Sequence, residues 1–354
     1  VALDRIHLIA PAGSCRPFLE ALGLSTAAEI INLVQGVVGS SFEVTGDHEL
    51  IEADEDENHG GRQDDEHRAR DINTALADDQ VVAVVGLRGG AWLTRVLPRI
   101  NFGVLDRRSR PIVMHGFSEL TPLVNIVGAH PRGIGIYDMS PAFLTYGLRR
   151  QARERFCGGE SPQIDPNEWA AQRVRPEFEA FVRDVGDMLS GQGTKRRITA
   201  HLVRGKLSAP TEVAFVGGNL VVFSTMVGSP FDRIARPTGE WLVLEEINEK
   251  PERIDRFLAH LTLAGYWESC RGILLGDFHL KDKHLTPTVV EMLDYHLPSD
   301  SPMPILVTED IGHIWPMAPL PLHHPVMIET VAAEICRIRW QMPAVCLARR
   351  GGRT

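Results

Sequence analysis

Val81 to Leu87 reads VVAVVGL, seven residues without one polar side chain, and ends at Arg88-Gly89-Gly90. A strand with one wet face alternates apolar and polar residues, so an unbroken apolar run of this length reads as a strand buried on both faces. That constrains the fold, because both faces of such a sheet must be covered, and helices crossing over between parallel strands cover them. Arg5 to Ala10 (RIHLIA) reads as a second strand running into the turn Pro11-Ala12-Gly13-Ser14, and Pro111 to His115 (PIVMH) as a third. Asp64 to Leu76 sets Ala69, Ile72, Ala75 and Leu76 at helical spacing, as a crossover helix would. After Ser118, the residues Leu120, Leu123, Val124 and Val127 recur at i, i+3, i+4 and i+7, so a helix follows the third strand at once. Residues 1–156 are therefore read as a parallel α/β domain.

At 354 residues the chain exceeds what one hydrophobic core supports, so a second domain is expected. Residues 157–211 are rich in turn formers and read as a linker or lid, with one helical pattern in Phe178 to Leu189 (FEAFVRDVGDML). Beyond them, Val213–Val216, Leu220–Phe223, Trp241–Leu244, Gly272–Leu275 and Ile305–Val307 read as short strands. Helices are expected over Arg253–Ala264, Thr288–Leu293 and Pro325–Cys336. Residues 212–354 thus form a smaller, β-rich α/β domain. The acidic run Glu52 to Glu57 reads as a solvated loop without chemistry.

A formal charge of -9 argues against a chain built to grip phosphate backbones, so nucleic acid is not an expected partner. Cys15, Cys157, Cys270, Cys336 and Cys346 are odd in number and form no C-x-x-C pair, which suggests neither a disulfide framework nor a zinc cluster and fits a reducing cytosol. No stretch approaches 18 uninterrupted apolar residues, and the amino terminus lacks the basic start and long apolar run of a signal peptide. A cytoplasmic protein with no membrane partner is expected.

The segment His115 to Thr121 (HGFSELT) puts Ser118 at a strand-to-helix junction, where a nucleophile would stand at the sheet's carboxyl edge and the first N–H groups of the helix could stabilise an oxyanion. A serine before an apolar-periodic run is also the commonest helix cap, and Leu120 stands where G-x-S-x-G would have its second glycine. Glu245 and Glu246 follow the apolar strand WLVL, and His313 lies in the loop after ILV. A serine needs a base and an imidazole needs an acceptor, so Ser118, His313 and Glu245 are a chemically complete set, although 14 histidines and 46 acids make chance sets easy to assemble. Gly89 and Gly90 admit close backbone approach and could supply a second oxyanion donor, or form a plain turn. Gly217-Gly218-Asn219-Leu220 looks like a turn between two strands, and no Lys-Ser or Lys-Thr follows to make it a phosphate loop.

The ordered series Arg88-Gly89-Gly90, Gly116-Phe117-Ser118, Gly217-Gly218-Asn219-Leu220, Leu244-Glu245-Glu246 with Pro251 to Arg256 (PERIDR), and Gly312-His313 resembles the LD-carboxypeptidase family of serine peptidases, which includes the microcin C immunity hydrolases. The likeness runs over roughly residues 5 to 325. It implies a flavodoxin-like amino-terminal domain with a nucleophile elbow, a β-rich carboxy-terminal domain, a homodimer, and an active site between the domains. It further implies a Ser118, Glu245, His313 triad, with Glu245 rather than Glu246 as the acid. The oxyanion hole would come from the backbone of Glu119 and one of Gly89 and Gly90. No metal or cofactor is implied. The chain departs from the family with R-G-G-A-W for R-G-G-Y-G, with Glu119 for Asp, and with Ile136 to Pro141 (IYDMSP) for T-F-H-G-P. Arg88, Trp92 and Tyr137 are then candidates for substrate contact.

Three readings follow. The first is a carboxypeptidase that removes the terminal D-alanine of murein tetrapeptides during cell-wall recycling. The second is a hydrolase of microcin-like peptidyl nucleotides, which would stack a base on Trp92, Trp241, Trp267 or Trp315. The third is a ligand-binding homologue without catalysis.

Overall fold

A computed structural model describes residues 3–54, 62–156, 165–192, 195–207, 209–281, 283–298 and 301–342. The amino-terminal half contributes β1 (Asp4–Ile9), β2 (Phe42–Gly46), β3 (Val81–Gly86), β4 (Ile112–Gly116) and β5 (Gly133–Tyr137). The rest of the chain supplies β6 (Lys195–Arg204), β7 (Thr211–Val213), β8 (Phe215–Asn219), β9 (Trp241–Ile247), β10 (Ile273–Leu280), β11 (Lys283–His284), β12 (Ile305–Val307), β13 (Leu320–Leu322), β14 (Val326–Ala332) and β15 (Ile335–Gln341).

The first sheet runs β2-β1-β3-β4-β5-β13, parallel except at β13, which pairs antiparallel with β5. Its parallel part has the flavodoxin-like order 2-1-3-4-5. Every residue of β3, β4 and β5 is buried, as the apolar runs required. The crossover helix runs Arg62–Ala77, and the helix after Ser118 runs Thr121–Gly128. The second sheet joins a parallel part, β8-β9-β10-β12, to an antiparallel one, β6-β15-β14-β7, with β11 on β10. One continuous cluster of buried apolar side chains runs through both sheets.

Two elements differ from their sequence reading. Leu220–Ser224 is a helix, not a strand, so the Gly-Gly-Asn stretch closes β8 and opens a helix. Asn219 caps that helix by accepting from Val222 N, and a four-residue apolar run carries no period that could reveal this. Pro325–Cys336 falls in the β14–β15 hairpin, not a helix. Val326 and Ile328 alternate with half-buried neighbours, and Cys336, Ile338 and Trp340 with exposed ones, which is the period of a strand. The 157–211 segment is also more structured than a linker. Within it lie helices Pro166–Ala171 and Val174–Leu189 and ten-residue β6. Phe178, Phe181, Val182 and Val185 line one apolar space with Ile6, Leu8 and Val85 of the first sheet. The acidic run begins at Glu52, which accepts from Ala27 N, and Asp54 pairs with Arg16; residues 55–57 lie outside the described residues.

The helix Thr121–Gly128 sits backbone to backbone on β5. A Cβ at Gly135 would lie 2.2 Å from the carbonyl oxygen of Val124, so only glycine permits this approach. Because the obstacle is main chain, Gly135→Ala must shift the whole helix. The expected cost is about 1–3 kcal/mol, read as a lower urea midpoint at unchanged m.

Candidate active site

β4 ends at Gly116 and Ser118 begins a short 3-10 turn with φ 58°, a left-handed conformation uncommon for a residue with a side chain. The cap positions of this turn and of the helix after it are Phe117 and Leu120, not Ser118. Its hydroxyl lies 3.2 Å from Nε2 of His313. The other ring nitrogen of His313, Nδ1, lies 2.7 Å from Oε2 of Glu245. A buried carboxylate accepts, so Nδ1 carries the proton and Nε2 presents its lone pair to the serine. Glu245 is fully buried on β9, and its second oxygen accepts from the Tyr137 hydroxyl at 2.7 Å. Four residues from β5, the β4 turn, β9 and the loop after β12 thus form one hydrogen-bonded line.

Electrostatics follow the geometry. Burial opposes charge on the His313 ring, but the charge and hydrogen bond of Glu245 outweigh it and raise the pKa above its ordinary value of 6.5. Burial and the Glu245 charge push the Tyr137 phenol well above 10, so it remains a donor. Phe117 and Phe143 flank the imidazole, with ring centroids 4.6 and 5.0 Å away.

The adjacent carboxylates separate by strand alternation. Glu246 points away from His313 and accepts from Asn219 Nδ2, Val221 N and Ile247 N, fixing the start of the helix after β8. Burial, and after it the Glu245 charge, pushes its pKa up to about 7. Glu119 is buried too, and burial pushes its carboxyl to about 7 while it accepts from Leu93 N at 2.9 Å. That bond ties the serine turn to the turn after β3. There, a Cβ on Gly89 would lie 3.1 Å from Ser118 Cβ and 3.4 Å from Glu119 N, and Gly90 has φ 125°. A side chain at Gly89 would occupy the space beside the Glu119 N–H.

The other candidates fall in different surroundings. Tyr137 is fully buried and serves Glu245, so it offers no surface to substrate. Arg88 reaches the Ser14 carbonyl, across the switch point of the sheet. Trp92 is half-buried beside Arg95, and Trp315 is half-buried. Trp241 and Trp267 are core residues and cannot stack a base. Sequence reasoning missed Thr121 and Asn125, which dock the sheets: Asn125 donates to and accepts from Gly217 backbone, and Thr121 Oγ1 accepts from Asn219 N. Both are polar residues in an apolar helix, which was the signal available.

Residues 6–137 match the family model of the LD-carboxypeptidase N-terminal domain, and residues 212–328 that of the LD-carboxypeptidase C-terminal domain. A probable murein peptide carboxypeptidase of Bacillus subtilis is 28% identical over 276 residues, 73% of this chain and 72% of that protein. The crystal structure of muramoyltetrapeptide carboxypeptidase from Oxalobacter formigenes matches with a TM-score of 0.61 and 21% identity, over 95% of this chain and 98% of that one. The microcin C7 self-immunity protein MccF, in complex with aspartyl sulfamoyl adenosine, matches with a TM-score of 0.64 and 16% identity, over 97% and 98% of the chains. At these identities the two structures speak for the fold.

The raised carboxyl pKa of Glu246 makes a signed prediction. The folded state holds its proton to about pH 7, whereas the unfolded state releases it near 4.5. Stability is therefore full below 4.5 and falls as pH rises toward 7, by up to about 1.4 kcal/mol per pH unit. Glu119, also raised to about 7, adds a slope of the same sign, so Glu246→Gln should reduce the slope in equilibrium unfolding between pH 4.5 and 6.5 by the Glu246 share, and an unchanged slope would remove Glu246 as a source.

Proposed function

The chain belongs to the LD-carboxypeptidase family, and on that footing we propose that it is a serine hydrolase that releases the terminal D-alanine of murein tetrapeptides. The line from Ser118 through His313 to Glu245 and Tyr137 is the observation that carries this reading. In the proposed reaction, Ser118 Oγ attacks the scissile carbonyl carbon while its proton passes to His313 Nε2. Glu245 holds the imidazole in the needed tautomer and stabilises the imidazolium. The Glu119 N–H, with Gly89 or Gly90 as second donor, receives the oxyanion. Collapse breaks the C–N bond, His313 returns its proton to the leaving amine, and a serine ester remains. Water then attacks the ester carbonyl, giving its proton to His313, and on collapse the acyl C–O bond breaks, His313 passes that proton to Ser118 Oγ, and the shortened peptide leaves as a carboxylic acid.

The carboxypeptidase reading is supported by the names of the Bacillus and Oxalobacter proteins, a probable murein peptide carboxypeptidase and a muramoyltetrapeptide carboxypeptidase. A peptidyl-nucleotide hydrolase would use the same four residues, and Trp92 and Trp315, the half-buried members of the candidate set, are where a base could stack. A binding protein without catalysis would have no use for a buried carboxylate aligned behind a histidine and a serine. The family resemblance carries a homodimer and a cytosolic location into the same proposal; among the described residues no helix is long and apolar enough to cross a membrane.

The deciding experiment incubates the protein with L-Ala-D-Glu-diaminopimelate-D-Ala and, separately, with a peptidyl nucleotide, and follows products by mass spectrometry. Release of D-alanine from the first supports the proposal; turnover of the nucleotide alone replaces it with the second reading. Ser118→Ala should lower turnover by at least about 10³-fold with unchanged unfolding, since Ser118 stands at neither cap position. Wild-type turnover in that variant would sink the triad. Glu245→Gln should cost about 10⁴-fold if the Asp→Asn precedent transfers. The rate should drop as pH falls through the His313 pKa, which lies above 6.5, because the protonated ring cannot take the serine proton.

A further inference from the structure

β10 pairs with β9 as far as His279 and turns back on its other edge as β11, so that His279 also pairs with His284 across an antiparallel ladder. Two residues before His279 lies Asp277. Its Oδ1 lies 3.9 Å from His279 Nδ1 and 3.6 Å from His284 Nδ1, and the three ligand atoms all fall within 4.8 Å of one another. None of these separations is a hydrogen bond. His279 is 5% exposed, and its Nδ1 is buried with no hydrogen-bond partner. A buried polar atom without a partner is costly and calls for an explanation.

We propose that Asp277, His279 and His284 form a binding site for a divalent transition-metal cation of the zinc class. Two imidazole nitrogens and a carboxylate oxygen are the donor set such an ion takes, with a fourth, open position for water. Tetrahedral ligands about 2.0–2.1 Å from zinc stand about 3.3 Å from each other. The two Asp277 separations therefore need to close by only a few tenths of an ångström, and His284, with its side chain 62% exposed, is free to swing inward. Arg150 holds Asp277 mainly by the other oxygen, with Nη1 2.5 Å from Oδ2 and Nη2 3.2 Å from Oδ1. It thus orients the carboxylate as an outer partner and leaves Oδ1 toward the histidines. The site borders a cavity of about 410 Å³, whose other cations, Arg149, Arg153 and Lys281, oppose a bare cation and favour one that keeps an anionic fourth ligand.

The proposal is independent of the hydrolytic reading, and its test does not use activity. The full chain, stripped with a chelator and dialysed, is titrated with Zn²⁺ in chloride buffer by calorimetry, and with Co²⁺ by visible absorption. One ion per chain should bind with micromolar or tighter affinity, and Co²⁺ should show the intense bands of a four-coordinate site. His284→Ala should weaken Zn²⁺ binding by more than the about 10–100-fold that loss of an outer partner costs. His284→Asn serves as a second variant, and His130→Ala, at a pair with Asp106 elsewhere, should change nothing. Absence of saturable uptake below 1 mM, or a loss under 10-fold in both His284 variants, overturns the site.

Discussion

A fully buried carboxylate is the constraint around which the two sheets are arranged. Moving the Glu245 charge out of water costs several kcal/mol unless its lone pairs are filled. Tyr137 of the first sheet fills one oxygen, and His313, from a loop of the second, fills the other. Neither sheet alone satisfies the group, so docking them is part of keeping Glu245 folded. Thr121 and Asn125 complete that docking with bonds to β8 backbone, from the very helix that begins behind Ser118. The contacts that hold the sheets together are therefore also those that set the serine against the imidazole.

Ser118 and the oxyanion-side glycines come from turns, and these turns are bonded to one another. Glu119 reaches from the serine turn to Leu93 N beyond the Gly89-Gly90 turn, while Gly13 N donates to Gly89 O from the turn after β1. Three consecutive carboxyl-end loops of a parallel sheet are thereby locked into one surface. Preorganisation of this kind lets donors face a developing charge without having to move.

Much of this is legible in the sequence, and the limits are physical. The run VVAVVGL could only be a doubly buried strand, so the parallel sheet followed from it. Ser118 follows β4 by two residues, Glu245 lies on β9 and His313 in the loop after β12, and the structure brings them into contact. Leu220–Ser224 was not legible, because four apolar residues have no measurable period and the deciding bond comes from the Asn219 side chain. The β14–β15 hairpin was misread as a helix although Cys336, Ile338 and Trp340 alternate. Ala332 and Ala333 beside acidic residues favour helix locally, and pairing with β6 and β7 overrides that propensity. Tyr137 sits in a continuous apolar strand, so nothing local says whether its hydroxyl faces substrate or an acid 108 positions away.

β13 belongs to the first sheet yet is made long after it. Between Tyr137 and Leu320 the ribosome must add roughly 180 residues, which at about 5–20 residues per second takes about 10–40 s. For that interval β5 is an open edge with unpaired N–H and C=O groups, the kind of edge that pairs with other chains. Synthesis of the second half is therefore a race between its own return to β5 and capture of that edge. A nascent chain stalled before residue 320 keeps the edge exposed for good.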